Sequence, residues 1–336
     1  MGAVLIRRIP FILTLLSLIA TACSPGQSEK ADGVSFPGDT GGAGLPIKTV
    51  SPTVMQLPTD TPIATATEIV NRDPDPSPTE TAQATPSPPA CWRQGGRIER
   101  GAVRTDLLPL PLEYRLYLPP CYARLPHLRY PVLYLIHGQS FNDDQWDRLG
   151  MGETADRLIA AGAISPLIIV MPRDRVWTQP TEDPFGQAVA DVLLPWIDEH
   201  YRTRPEREYR AIGGLSRGAG WALHLGLSRW ESFGAVGLHS LPVFWADLPH
   251  IRTWLDAIPA DSLPRIYMDS PDKDRPQIAR STAWFEGLLT ELGIPHEWHL
   301  FPGYHEEAYW EAHVEEYLRW YTREWPVGDR GSLENP

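Results

Sequence analysis

The stretch Gly213-Gly214-Leu215-Ser216-Arg217-Gly218-Ala219-Gly220 constrains this chain more tightly than any other. It follows the apolar Tyr209-Arg210-Ala211-Ile212 and precedes Trp221-Ala222-Leu223-His224-Leu225, which reads as a helix. The pattern Gly214-x-Ser216-x-Gly218 therefore falls where a buried strand turns sharply into a helix, the setting that a nucleophile elbow requires. Such a turn strains the backbone of its central residue, and strand and helix can approach only across small neighbours, here Gly214 and Gly218. The strain would present the Ser216 hydroxyl at the sheet edge. The Arg217 N–H, at the start of the helix, would be free to stabilise an oxyanion. Five residues alone also fit a glycine-rich turn with an incidental serine, so the rest of the chain has to decide.

Length and charge narrow the setting. The chain has 336 residues, enough for one large α/β domain or two small ones. With 30 basic and 42 acidic residues it carries a net charge of −12, and nothing in it suggests a nucleic-acid partner. Cys23, Cys91 and Cys121 are too few and too scattered for a zinc site, and no metal or cofactor is implied.

Residues 1–22 read as an export signal, with Arg7 and Arg8 ahead of an apolar run from Ile9 to Ala20. That run is too short for a membrane-spanning helix. It ends in Ala20-Thr21-Ala22-Cys23, which resembles a bacterial lipoprotein box, although leucine is commoner at the first of these positions. Lipidation of Cys23, anchoring the protein to the outer face of a membrane, is preferred to an ordinary signal cut near Ala22. Residues 23–90 repeat proline beside serine or threonine, as in Pro74-Asp75-Pro76-Ser77-Pro78, and are expected to form a disordered tether. All 13 tryptophans lie at or after Trp92, so a folded domain is expected over 91–326, with 327–336 as a tail.

Within that domain strand-like and helix-like segments alternate. Strands are expected at 112–118, 130–136, 167–171, 209–212, 233–238, 265–268 and 298–301. Helices are expected near 154–161, 185–200 (despite Pro195), 247–257, 281–292 and 306–323. The alternation argues for an α/β fold with a mostly parallel, doubly wound sheet and helices on both faces. Cys91 and Cys121 flank the first strands of an exported domain, and oxidising conditions favour a disulfide between them over two separate thiols.

Acyl transfer by a serine needs a base, an orienting carboxylate and two oxyanion donors. After Ser216 the strand 265–268 runs into Asp269-Ser270-Pro271-Asp272-Lys273-Asp274, which holds three carboxylates. The last strand runs into Pro302-Gly303-Tyr304-His305, which holds one histidine. Ligands bind at the carboxyl ends of strands in such sheets, so these loops should meet Ser216 on one edge. The early strand 130–136 ends in His137-Gly138-Gln139-Ser140. There Gly138 permits close backbone approach, Gln139 or Ser140 offers a second N–H, and His137 shapes the loop.

These motifs in order resemble the esterase group of the α/β-hydrolases that includes esterase D, enterochelin esterases and feruloyl or acetyl-xylan esterases. The residues that carry the resemblance are Tyr130 to Gly138, Gly213 to Gly218, the acidic loop ending at Asp274, and Pro302-Gly303-Tyr304-His305 followed by Trp310. It spans about residues 97–322. It implies Ser216 as nucleophile, Asp274 as acid and His305 as base. Ser270-Pro271 stands where many relatives have glycine, and from the residues alone Asp269 and Asp272 stay open beside Asp274.

The resulting expectation is an exported serine esterase acting through an acyl-enzyme, with Arg217 and Gln139 as oxyanion donors. Its partner would be a small-molecule or saccharide ester, bordered by Gly138, Trp146 and Trp221. Trp177 and Trp245 are further candidates for an aromatic platform, while His224 and His239 read as structural. An acyltransferase using the same triad and an inactive binding module on a hydrolase fold are the competing readings.

Overall fold

The computed structural model describes residues 90–327; the expected export signal, Cys23, the expected tether and the tail after Val327 lie outside the described residues. Eight strands form one sheet in the order β1-β2-β4-β3-β5-β6-β7-β8. β1 (Arg97–Val103) and β2 (Leu112–Leu118) run antiparallel to their neighbours. The rest, β3 (Val132–Ile136), β4 (Ile168–Pro172), β5 (Arg210–Leu215), β6 (Ala235–His239), β7 (Arg265–Lys273) and β8 (Glu297–Tyr304), pair in parallel. The edge strand β1 was not among the strands expected from sequence. Its residues are mostly exposed or half-buried, so it lacks the apolar run by which the central strands announce themselves.

Helices cover both faces. α1 (Gln145–Arg148) and α2 (Met151–Ala160) precede β4, and α3 (Phe185–Ala188) and α4 (Leu194–His200) precede β5. α5 (Arg217–Ser228), α6 (Ile251–Ala257), α7 (Pro276–Glu291) and α8 (Glu307–Thr322) complete the chain. The alternation of β3 sorts its side chains between two cores. Val132, Tyr134 and Ile136 join Phe185, Trp221, Ile251 and Phe285, whereas Leu133 and Leu135 join Met151, Leu158, Tyr317 and Leu318. All five β3 residues are buried, as a strand covered on both faces requires.

Proline explains where four segments depart from simple periodicity. The helical run 185–200 survives Pro195 because a π-helical turn at Val189–Leu193 joins α3 to α4, with the proline in the first turn of α4. α7 starts at Pro276, five residues earlier than expected, because proline at the first helical position gives up an N–H that would have no partner there. β7 and β8 both run through residues that look like breakers. β6 pairs with β7 only as far as Asp269, so Pro271 lies where β7 has a single neighbour, and Pro302 lies on the edge strand β8.

Cys91 and Cys121 are joined by a disulfide, with their Cα atoms 5.2 Å apart. It ties the turn ahead of β1 to the segment after β2, closing a loop of 30 residues in sequence separation around the edge hairpin. Replacing both cysteines with alanine is expected to cost about 3–4 kcal/mol in the chain-entropy account. Urea unfolding of the double variant checks this, and a loss below about 1 kcal/mol would mean that the unfolded loop is restricted by something else.

Candidate active site

Ser216 sits between β5 and α5 with φ 51° and ψ −127°, a conformation that costs a non-glycine residue free energy. Its neighbours make the conformation attainable. A Cβ on Gly214 would collide with the backbone of Gly218, and one on Gly218 would collide with Ile136 O. Strand, elbow and helix can therefore close up only with glycine at both places. The Ser216 N–H is fixed by His239 O at 2.8 Å, and α5 starts at Arg217, whose N–H has no intrahelical acceptor.

The acid and histidine loops are tighter than the sequence suggests. β7 extends to Lys273 and β8 to Tyr304, and these two residues pair across the sheet past an irregularity in register. Asp274 and His305 thus leave neighbouring strand ends side by side. Asp274 Oδ1 lies 2.7 Å from His305 Nδ1, and His305 Nε2 lies 3.0 Å from Ser216 Oγ. The carboxylate fixes the proton on Nδ1, leaving Nε2 as an acceptor for the serine hydroxyl.

Asp274 takes two more hydrogen bonds, from Ser270 Oγ at 2.8 Å on Oδ2 and from the Arg275 N–H at 2.6 Å on Oδ1. Burial acts to raise its pKa, but the bonds from His305, Ser270 and the Arg275 N–H outweigh it and hold the carboxyl below the usual range. Ser270, flagged in sequence only as a departure from glycine, thus supports this carboxylate. The other two acidic candidates lie elsewhere. Asp269 is fully buried and bonded to His239, Tyr309 and Tyr317, and Asp272 is exposed and accepts the Gly303 N–H at 2.9 Å.

The loop after β3 is fixed at both the carbonyl and the N–H of one residue, Gly138. His137 Nδ1 donates to Gly138 O at 2.8 Å, while its Nε2 accepts the Asp174 N–H at 3.0 Å. Burial lowers the pKa of His137, which favours the neutral ring that this pair of bonds needs. The Gly138 N–H donates to Gln145 Oε1 at 2.8 Å and is therefore occupied. The Gly138–Gln139 peptide has its carbonyl on His137, so its N–H, that of Gln139, points the opposite way. The sequence places Gln145 in the stretch Asn142–Trp146 that follows this loop, but nothing in an isolated glutamine signals its bond to Gly138.

Gly138, Gln139, Ser216, Arg217 and His305 line one cleft of about 620 Å³, together with Phe141, Pro242, Arg275, Ile278 and Trp310. Two expected lining residues are not there. Trp146 is buried in the core and donates its indole N–H to Ile136 O at 3.0 Å. Trp221 is also fully buried, donates to Asp174 Oδ2 at 2.9 Å, and borders a separate cavity beside Glu182 and His224. Indoles with a backbone or carboxylate acceptor inside the protein pack as core, and the sequence does not reveal the acceptor. Trp177 and Trp245 are each 54% exposed. His224 is held by Asp247, and His239 by Asp269 and Tyr321.

The Arg217 side chain turns into the protein, bonding Asp174 at 2.7 Å, Val176 O at 2.8 Å and Asp183 at 3.2 Å. One guanidinium thereby holds the loop after β4 against the start of α5.

Comparison with known proteins gives the family. The family model described as "Putative esterase" matches residues 108–321, which includes every residue of the Ser216–His305–Asp274 line. The chain belongs to this family. An endo-1,4-beta-xylanase/feruloyl esterase of Xylanibacter ruminicola is 32% identical over 200 residues, 54% of this chain and 26% of that protein. An esterase of Mycobacterium tuberculosis is 28% identical over 228 residues, covering 52% of this chain and 48% of the relative. The chain thus spans a quarter to a half of these relatives. A ferulic acid esterase structure superposes with a TM-score of 0.61 at 23% identity, covering 68% of this chain and 98% of the other. An S-formylglutathione hydrolase of Staphylococcus aureus gives 0.54 at 16% identity, with coverages of 68% and 97%. At these identities the structures establish the α/β-hydrolase fold of this esterase-family chain.

Asp183 gives the site region a pH signature. Burial, helped by the neighbouring charge of Asp174, pushes its pKa up to about 6 against the pull of the Phe185 N–H and Arg217. A raised carboxyl pKa means that the folded state binds the proton more tightly, so stability falls as pH rises from about 4 to 6. Asp183→Asn should remove that fall. Relative to the parent, the variant should gain up to about 3 kcal/mol between pH 4 and pH 7, read by urea unfolding at both. A difference that does not change with pH would place the titration elsewhere.

Proposed function

We propose that this chain is an exported serine esterase that cleaves carboxylic esters through an acyl-enzyme. The observation that carries the reading is the continuous line from Asp274 through His305 to Ser216, at 2.7 and 3.0 Å, ending on a strained elbow. His305 Nε2 takes the proton from Ser216 Oγ as the oxygen attacks the ester carbonyl. The resulting oxyanion is held by the N–H groups of Arg217 and Gln139. Collapse expels the alcohol, which leaves with the proton from His305. Water, deprotonated by the same imidazole, then attacks the acyl-enzyme, and as the carboxylic acid leaves the proton on His305 passes to Ser216 Oγ. Asp274 keeps the ring in the right tautomer and stabilises the imidazolium, without taking the proton itself.

The cleft, with Leu215, Pro242, Ile278, Phe141 and Trp310 around Ser216, suits a flat acyl group of hydroxycinnamoyl size. Relatives named as feruloyl esterases support an aryl acyl group on a small-molecule or saccharide alcohol. The N-terminal signature adds export and lipid attachment at Cys23 to this reading.

Three measurements test the proposal. Ser216→Ala should abolish hydrolysis of p-nitrophenyl and feruloyl esters with an unchanged circular dichroism spectrum. Asp274→Asn should lose on the order of 10⁴ in kcat. Asp272→Asn should stay within about tenfold, or roughly 1.4 kcal/mol of barrier. Equal losses at Asp272 and Asp274 would overturn the acid assignment. Mass spectrometry of the mature N-terminus from a lipoprotein-processing host should find an acylated Cys23, and an unmodified terminus at another residue would leave export without an anchor.

A further inference from the structure

The oxyanion loop and the histidine loop are joined across the cleft by one buried side chain. Gln145, the first residue of α1, is 0% exposed. Its Oε1 accepts the Gly138 N–H at 2.8 Å, and its Nε2 donates to Glu307 Oε1 at 3.1 Å. Glu307 opens α8, two residues after His305, and Arg148 on the same short helix as Gln145 grips both its oxygens at 3.0 and 3.2 Å. Gly138 and Glu307 both line the cleft that holds Ser216. A primary amide is suited to this place because it accepts at one end and donates at the other, matching a backbone N–H on one side and a carboxylate on the other.

We propose that Gln145 is a positioning residue that sets the second oxyanion donor relative to His305. The inference rests on the serine-esterase reading of this cleft. Two contacts decide which way the Gly138–Gln139 peptide faces: the Gly138 carbonyl is held by His137, and the Gly138 N–H immediately before it is held by Gln145. Without Gln145 the Gly138 N–H loses its partner inside the protein, and the Gly138–Gln139 peptide, hinged on a residue with no Cβ, is held by His137 alone. The Gln139 N–H would then swing off the place where the oxyanion forms. Its link to Glu307 means that the same amide also holds the start of α8, so donor and base are aligned by one side chain.

The effect belongs to the transition state, because the oxyanion exists only there. In the full-length protein, Gln145→Met should lower kcat on p-nitrophenyl butyrate by ten- to a hundredfold, below the 10²–10³ or so of losing an oxyanion donor outright. KM should stay within about threefold. Affinity for a trifluoromethyl ketone, whose adduct carries the oxyanion, should fall by the same factor as kcat. A side chain that only holds the fold would not separate these readings.

The exchange pair decides the matter even if the methionine variant folds poorly. Gln145→Glu alone sets two carboxylates against each other and should be severely impaired. Combined with Glu307→Gln, acceptor and donor are simply exchanged, and kcat should recover at least tenfold over the single Gln145→Glu variant. The inference is overturned if Gln145→Met keeps kcat within twofold of the parent, or if the exchanged pair is no better than Gln145→Glu. Either result with Ser216→Ala still inactive removes only the role of Gln145, whereas turnover by Ser216→Ala would remove the esterase reading itself.

Discussion

The geometry of this domain depends on a carboxylate far from solvent. Asp269 is fully buried on β7 and receives three donors: His239 Nδ1 at 2.6 Å, Tyr309 Oη at 2.6 Å and Tyr317 Oη at 2.8 Å. Burial raises the pKa of both tyrosines, with the negative charge of Asp269 adding to it, so their hydroxyls stay protonated and remain donors. His239 Nε2 is bonded in turn to Tyr321 Oη at 3.0 Å, in a space that exists because Gly213 and Gly237 have no Cβ. A buried carboxylate is tolerable only when its lone pairs are satisfied, so these donors cannot be removed singly at low cost.

The cluster ties together the three elements that present Ser216, Asp274 and His305. The carbonyl of His239 accepts the Ser216 N–H at the elbow. Asp269 lies on the strand that delivers Asp274, and the three tyrosines lie on the helix that follows His305. Arg217 plays the matching part on the other side, where it fastens Asp174, Val176 and Asp183 to the first turn of α5. Ser216 thus stands between two buried polar clusters, each built round a charge that must keep its partners.

The sequence reveals what steric necessity writes locally. Gly214 and Gly218 are dictated by backbone approach within a few residues, so the elbow is legible, and the buried strands β3 to β6 show as apolar runs. Distant partners are not legible. Asp269, Asp272 and Asp274 look alike in a row, and what separates them are donors 30 to 48 residues away in the chain. For the same reason Trp146 and Trp221 could not be told from the exposed Trp177 and Trp245, and Gln145 and Ser270 drew no attention as hydrogen-bonding partners. The ends of β7 and β8 were hidden by Pro271 and Pro302, which are admissible only because of where those strands lie in the sheet.

The disulfide has a mechanical consequence. In the β1–β2 pair Arg97 lies opposite Leu118, so a pull on the chain ahead of Cys91 would act at the open end of the hairpin, against a core that continues beyond Cys121. Backbone hydrogen bonds loaded in that way give way one rung after another, like a zip. The Cys91–Cys121 bridge lies just outside the first rung and short-circuits the path, passing tension from Cys91 directly to Cys121 and leaving the hairpin unloaded. A pull from the N-terminal side would therefore leave the edge strand in place for as long as Cys91 and Cys121 stay joined.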